Sequence, residues 1–326
     1  MAVEFIKITA VNLLNWFKGS KLLKIIIITI MKTVFKTTLF TILTLFTMSG
    51  KAQNFKTIQA GKFNLDVFNA SENSFGVASV IVSGKTDAVL IDAQFTLADA
   101  ETVAQKIKTS GKNLIAIYIS HNDPDFYFGL EVFKRHFPGV TAYATPKVVE
   151  AIAQTAQKKL DVWGGQLGEA VTSNVVLPQV LKGNSIELEG EKLEITGLED
   201  FPTRTFVYIP SAKAVVGGIN VFGNSFNLWM ADAQTPEARS NWIKVLDKII
   251  ALKPLIVIPA HGKLTDATDI TSVKHTKDYI LFYEEALKTN STSEELIKAI
   301  KAKYPALTFE TALQIGAKVN TGEMKW

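Results

Sequence analysis

The chain has 326 residues, 47% of them hydrophobic, and a formal net charge of +4. That composition suits one large α/β domain or two small ones with a real buried core. The lysines are scattered rather than clustered, so nothing suggests a nucleic-acid footprint and nucleic acid is set aside as a direct partner unless the substrate is itself a nucleotide; the absence of cysteine excludes disulfides, thiolate metal ligands, cysteine nucleophiles and a lipid-modified cysteine.

Residues 31–52 read as a signal peptide. Met31-Lys32-Thr33-Val34-Phe35-Lys36 is a short basic start, Thr37 to Met48 is apolar, and Gly50-Lys51-Ala52 offers a small-x-small cleavage site before Gln53. Residues 1–30 form an N-terminal extension of uncertain role with a further apolar run, Leu22 to Ile30. Translation beginning at Met31 would explain it. A membrane anchor is the alternative, because Ile25 to Met48 is nearly long enough to cross a bilayer despite Lys32 and Lys36. The tripartite pattern favours cleavage, giving a periplasmic or secreted domain over 53–326; the anchored form would face outward, its only membrane contact the uncleaved N-terminal segment.

From Phe55 the chain alternates β-rich runs and turn residues, with strands expected at Phe63 to Phe68, Gly76 to Ser83 and Ala88 to Asp92 and a hairpin turn at Gly84-Lys85-Thr86-Asp87. An amphipathic helix is predicted over Leu97 to Ser110, a buried strand over Leu114 to Ile119 and a helix over Leu130 to His136. Strand Val140 to Ala144 and helix Pro146 to Lys159 complete a second β-α unit, which implies a sheet with crossover helices. A polar, glycine-bearing stretch around Trp163 to Asn174 then interrupts the pattern and is expected to cover a site. Strands return at Ser185 to Leu188, Lys192 to Thr196, Arg204 to Ile209 and Ala214 to Gly217, followed by helix Pro236 to Leu252 and strand Leu255 to Ile258. The tail from Asp266 reads as helical and carries no evident chemistry. No repeat of solenoid length is present.

The chemistry concentrates where two strands end. Leu114 to Ile119 empties into Ser120-His121-Asn122-Asp123-Pro124-Asp125-Phe126-Tyr127-Phe128-Gly129, which places one imidazole and two carboxylates at every second position. The strand at Leu255 to Ile258 likewise runs into Pro259-Ala260-His261-Gly262. Taken alone, Asp123-Pro124-Asp125 is equally good turn chemistry. His136 at a helix end and His275 in a charged helical stretch read as solvated.

Together these segments resemble the metallo-β-lactamase-fold hydrolases, whose His-x-His-x-Asp-His loop is matched at His121 and Asp125, with Asp123 in place of the second histidine and Phe126 in place of the last. The resemblance runs from about Phe63 to Tyr283 and implies a four-layer αββα sandwich. It aligns Asp200 with a further histidine position and Gly217-Gly218-Ile219 with the Gly-Gly-Asp turn, Ile219 standing where a bridging aspartate is expected. A first metal would then see His121, Asp123 and Asp200; a second would keep only Asp125 and His261, too few for tight binding, and Asn220 could add an oxygen only through a local irregularity. The resemblance implies one divalent ion, zinc by family, while a carboxylate-rich set also admits manganese or iron.

The function this implies is an exported, mononuclear metal-dependent hydrolase of a small molecule, an ester, lactone, amide or phosphoester, acting through a metal-bound hydroxide. Asp125 would orient or deprotonate the water and His261 would protonate the leaving group. The incomplete ligand set argues against β-lactams as substrates. Asn227 and Trp229, in a run similar to the loop overhanging the site in some family members, are candidate substrate contacts. Phe126 either packs in the missing ligand's space or walls the pocket. The alternative is a catalytically inactive binding protein that keeps the pocket, and a third reading is redox chemistry at a single iron.

Overall fold

The computed structural model describes residues 55–197, 199 and 202–326. The expected signal peptide, the N-terminal extension, Gln53 and Asp200 lie outside the described residues.

Seven strands pair in chain order: β1 (Phe55–Ala60), β2 (Phe63–Asn69), β3 (Ala78–Ser83), β4 (Asp87–Ile91), β5 (Asn113–Tyr118), β6 (Ala142–Ala144) and β7 (Gln179–Val180). The first four form an antiparallel meander, and β4 to β7 run parallel. A second sheet takes the order β12-β11-β10-β9-β8, built from β8 (Ser185–Leu188), β9 (Glu191–Thr196), β10 (Phe206–Ile209), β11 (Ala214–Val216) and β12 (Ile256–Val257). Only β11 and β12 are parallel in it.

Side chains alternate across a strand, so each sheet has an inner and an outer apolar face. Val80, Val82, Val89 and Ile91 of the first sheet meet Leu193, Ile195, Val207 and Val216 of the second in a core between the sheets. Ile81 and Leu90, one residue out of phase, face the opposite core, beneath the helices. Each such aliphatic chain contributes about 1.5–3 kcal/mol on leaving water, which fixes the register of the strand ends that carry the site.

Helices α1 (Leu97–Ser110), α2 (Pro124–Tyr127), α3 (Leu130–His136) and α4 (Pro146–Leu167) follow strands of the first sheet; α5 (Pro236–Ala251) and α6 (Ile270–Thr289) cover the second; α7 (Ser293–Lys303) and α8 (Glu310–Asn320) close the chain. Threonines at the N-caps of α1, α4 and α5 each accept an amide of the first turn, which explains where the apolar periodicity becomes helix. The layers are helix, sheet, sheet, helix, the αββα sandwich expected from the resemblance.

Several elements differ from the sequence reading, among them the short β7 and α2, which it does not contain. β1 is absent from it as well; the strand alternates half-buried and exposed residues before Ala60, and it exists by pairing with Phe63 to Phe68 of β2. α4 runs to Leu167 instead of stopping at Lys159: the two glycines at 164 and 165 cost a helix about 1 kcal/mol each, while Leu160, Trp163 and Leu167 pack on the core. The tail after Asp266 is helical as expected, yet it is not chemically idle, because Phe309 and Trp326 reach the site cavity.

Candidate active site

A buried polar knot holds the site-bearing loops. Directly after β4, Asp92 adopts a left-handed conformation (φ 63°) and accepts hydrogen bonds from the Ser120 N–H at 2.8 Å and the Ser120 hydroxyl at 2.7–2.8 Å. The same hydroxyl accepts from the Gly218 N–H at 2.7 Å, and Thr205 Oγ donates to the Ser120 carbonyl at 2.8 Å. Gly218 (φ 81°) admits no side chain, since a Cβ would lie 2.1 Å from Thr205 O. Three loops far apart in sequence are thus fixed around one serine. Burial pushes the Asp92 carboxyl up to about 7, against the hydrogen bonds that favour its charged form.

Above the knot lie the two histidines. His121 is bridged by backbone to Arg204, and His261 sits between Val77 and Phe222, its ring stacked on Phe222 at 4.9 Å. His261 Nδ1 meets the Phe75 carbonyl at 2.9 Å, which makes Nδ1 the protonated nitrogen and leaves Nε2 as an acceptor. That Nε2 is buried without a hydrogen-bond partner, 3.5 Å from Asp125 Oδ2. His121 is arranged the other way round, because its Nδ1 accepts from the Asp123 N–H at 3.2 Å; Asp123 Oδ2 lies 3.4 Å from the same nitrogen. Burial lowers His121 to about 3 and His261 to about 4, so both are neutral imidazoles at physiological pH. Burial, reinforced by the Asp123 charge, holds Asp125 well above the usual carboxylate range. Asp123 goes down to about 2, because His121, Lys159 and Arg204 together outweigh the effect of its burial.

These groups form the floor of a cavity of about 640 Å³. Aromatic rings wall it: Phe75, Trp163, Trp229, Phe309 and Trp326, with Phe75 edge-on to Trp163 at 5.3 Å and Trp229 edge-on to Trp326 at 5.5 Å. One face of α4 supplies Thr155, Lys158, Lys159, Val162 and Trp163, residues three and four apart that share a helix side. Lys159 Nζ donates to the Asn122 carbonyl at 2.7 Å and to Asp123 Oδ1 at 2.8 Å. Arg204, also on the wall, lies over the Trp242 ring at 4.6 Å and 4.0 Å from Asp232 Oδ2, while Trp326 Nε1 donates to Asp232 Oδ1 at 2.6 Å. Burial and the Asp123 charge push Asp232 up to about 6, against Arg204.

The structure therefore brings together His121, Asp123, Asp125, His261 and Trp229 of the residues expected from sequence. Asn227 goes elsewhere: it is buried, donating through Nδ2 to the Thr308 carbonyl at 2.8 Å and accepting from the Tyr279 hydroxyl at 3.2 Å, and it holds the tail against the loop instead of lining the cavity. Phe126 is fully buried, which settles its role as packing. His275 is half-buried instead of fully solvated; its Nε2 meets the Phe226 carbonyl at 3.2 Å, and its ring lies beside Tyr279 and Tyr304. Sequence reasoning missed Lys159, Arg204, Asp232, Phe309 and Trp326. Only the α4 stripe, spaced three and four apart, carried a readable pattern.

The divalent ion implied by the resemblance can be tested against these donors. The orphaned Nε2 of His261 and the 3.5 Å spacing to Asp125 suit a ligand pair. The rest does not. Among the described residues no three His, Cys, Asp or Glu side chains gather closely enough to hold a metal. The Asp123 carboxylate already holds an ammonium, and the lone pair of His121 Nδ1 already takes an amide hydrogen. The Phe126 ring lies edge-on to both imidazoles, at 5.3 and 5.8 Å. The described residues do not fit a bound divalent ion.

Comparison with known proteins matches residues 73–261, more than half the chain, to the model of the metallo-beta-lactamase superfamily. Among solved structures, metallo-beta-lactamase IND-7 is 18% identical with a TM-score of 0.52, over 71% of this chain and 100% of that one. A metallo-beta-lactamase from Pontibacter korlensis is 19% identical (TM-score 0.49; 70% and 99% covered). DIM-1 metallo-beta-lactamase is 22% identical (TM-score 0.49; 70% and 97%). No curated protein matches the sequence.

Proposed function

This chain belongs to the metallo-beta-lactamase superfamily, and from that premise we propose that it is an exported hydrolase of a small molecule, opening an ester, lactone, amide or phosphoester bond at the floor of the aromatic-walled cavity. One observation carries the reading: His261 Nε2, an unpartnered buried acceptor, belongs to a residue that lines the cavity beside Asp125.

With Nδ1–H held by the Phe75 carbonyl, Nε2 is set to take a proton from water as the water oxygen bonds to the acyl carbon or phosphorus. Charge building on the substrate oxygen faces a wall that contains the Arg204 guanidinium. The proton then passes from His261 to the departing oxygen or nitrogen as its bond to the substrate breaks. Asp125, 3.5 Å from Nε2, orients the water while the Phe75 carbonyl orients the imidazole.

The test is hydrolysis of a panel of chromogenic esters, lactones, amides and phosphoesters by protein purified without chelators. Replacing His261 with alanine should lower kcat/KM roughly 100-fold or more; a variant as active as wild type refutes the assignment. A second reading, a binding protein without turnover, is favoured by the apolar Phe126 and Ile219 at two expected ligand positions. Ligand binding with no turnover across the panel would establish it. Export has its own check: the mature protein should begin at Gln53, and an intact residue 1 in its mass spectrum would overturn the cleaved signal.

A further inference from the structure

We infer that Lys159 is the resident cation of this site, holding the Asp123 carboxylate in place of a divalent ion, so that the pocket works metal-free. The inference concerns what occupies the floor and stands whether or not the pocket turns over a substrate.

The geometry is specific. Lys159 crosses from α4 to the motif loop and makes two hydrogen bonds there, to the Asn122 carbonyl at 2.7 Å and to Asp123 Oδ1 at 2.8 Å. Both partners belong to the loop that the superfamily resemblance marks as metal-binding, and the Lys159 side chain is half-buried, 22% exposed. A metal ion coordinated by Asp123 would sit within a few ångströms of Nζ, where a divalent ion and an ammonium repel each other in a half-buried site that screens charges less than bulk water does. The two cations exclude each other. Other features point the same way: His121 has turned its Nδ1 lone pair to the Asp123 amide, and the hydrocarbon ring of Phe126 packs steeply against both imidazoles, in the place of an expected ligand. The extra turns of α4 beyond Lys159 anchor the lysine, since Trp163, one turn on along the same face, is packed edge-on against Phe75 and Phe95.

The experiment compares metal uptake by the full chain and its variants. Wild type, Lys159→Met and Lys159→Met/Phe126→His are purified without chelators, incubated with zinc, manganese or ferrous iron, desalted and measured by elemental analysis, with zinc affinity by titration and melting curves to confirm folding. Wild type should retain well under one equivalent, and its melting temperature should ignore both zinc and EDTA. Lys159→Met should bind zinc more tightly than wild type, and adding Phe126→His should bring the gain to about 100-fold or more, as expected when a repelling charge is replaced and a ligand added. One equivalent of metal in wild type, lost in Asp123→Ala, would overturn the inference. So would a folded Lys159→Met/Phe126→His that stays as empty as wild type, because Lys159 would then not be what keeps the metal out.

Discussion

Replacing Ser120 with alanine should loosen the whole floor from beneath. The hydroxyl donates to Asp92 and accepts from the Gly218 N–H, and Ser120 and Asp92 are 0% and 1% exposed, so water cannot replace either bond. A buried amide left unpaired costs about 1–3 kcal/mol, and a bond to a carboxylate is worth about 1.5–3 kcal/mol. Their sum, roughly 2.5–6 kcal/mol, corresponds to a fall in Tm of roughly 5–24 °C for a domain of this size. The loss should also depend on pH. Asp92 is held up at about 7 by burial, so at pH 5 it is protonated in the folded protein and needs fewer donors, whereas at pH 8 the carboxylate depends on them. Urea unfolding at pH 5 and pH 8 should therefore show the larger loss at pH 8. Ser83→Ala is the control, its hydroxyl reaching Asn64 O only at 3.4 Å, and should change stability by less than about 0.5 kcal/mol. A Ser120→Ala loss below about 1 kcal/mol, or one equal at both pH values, would refute the knot as the element that fixes the loops.

Two further substitutions probe the same frame. Asp92 rises from an ordinary 3.8 to about 7 on folding, so between those values the folded state holds the proton that the unfolded chain has lost, and stability falls as pH rises, by about 4 kcal/mol in all. Asp92→Asn removes that titration; urea midpoints from pH 4 to 8 should flatten, and an unchanged slope would show that the fall comes from other groups. Gly129→Ala should cost about 3 kcal/mol or more, since a Cβ there would lie 1.9 Å from Ala93 O and 2.7 Å from the Ala100 Cβ; soluble protein with a wild-type urea midpoint would mean that the loop after α2 yields more easily than its packing implies.

The fold was readable because its signals are local. α1 begins at Leu97 and ends at Ser110 as the sequence predicts, since Thr96 caps one end and Gly111, at φ 69°, ends the other. The floor was readable for a similar reason: His121, Asp123 and Asp125 stand in one loop, and His261 opens the loop that repeats the arrangement. β1 was not readable, because a half-polar edge strand is specified by its partner rather than by its own pattern. Nor was Asn227, whose amide is consumed by Thr308, 81 residues away.

Lys159 marks where motif reading stops. Counting ligands along the loop asks which residues have replaced histidines, and by that count Asp123 is a surviving metal ligand. The carboxylate's meaning depends instead on which cation faces it, and that cation comes from a helix 36 residues further on. The periodicity of α4 puts Thr155, Lys159 and Trp163 on one face, but only packing against Phe75 and Phe95 turns that face toward the loop. An aspartate that replaces a histidine brings negative charge that must be balanced, either by a metal ion or by a side chain already present. Here Lys159 balances it within hydrogen-bond distance, so the loop keeps the form of a metal site while its charge is satisfied by the protein itself.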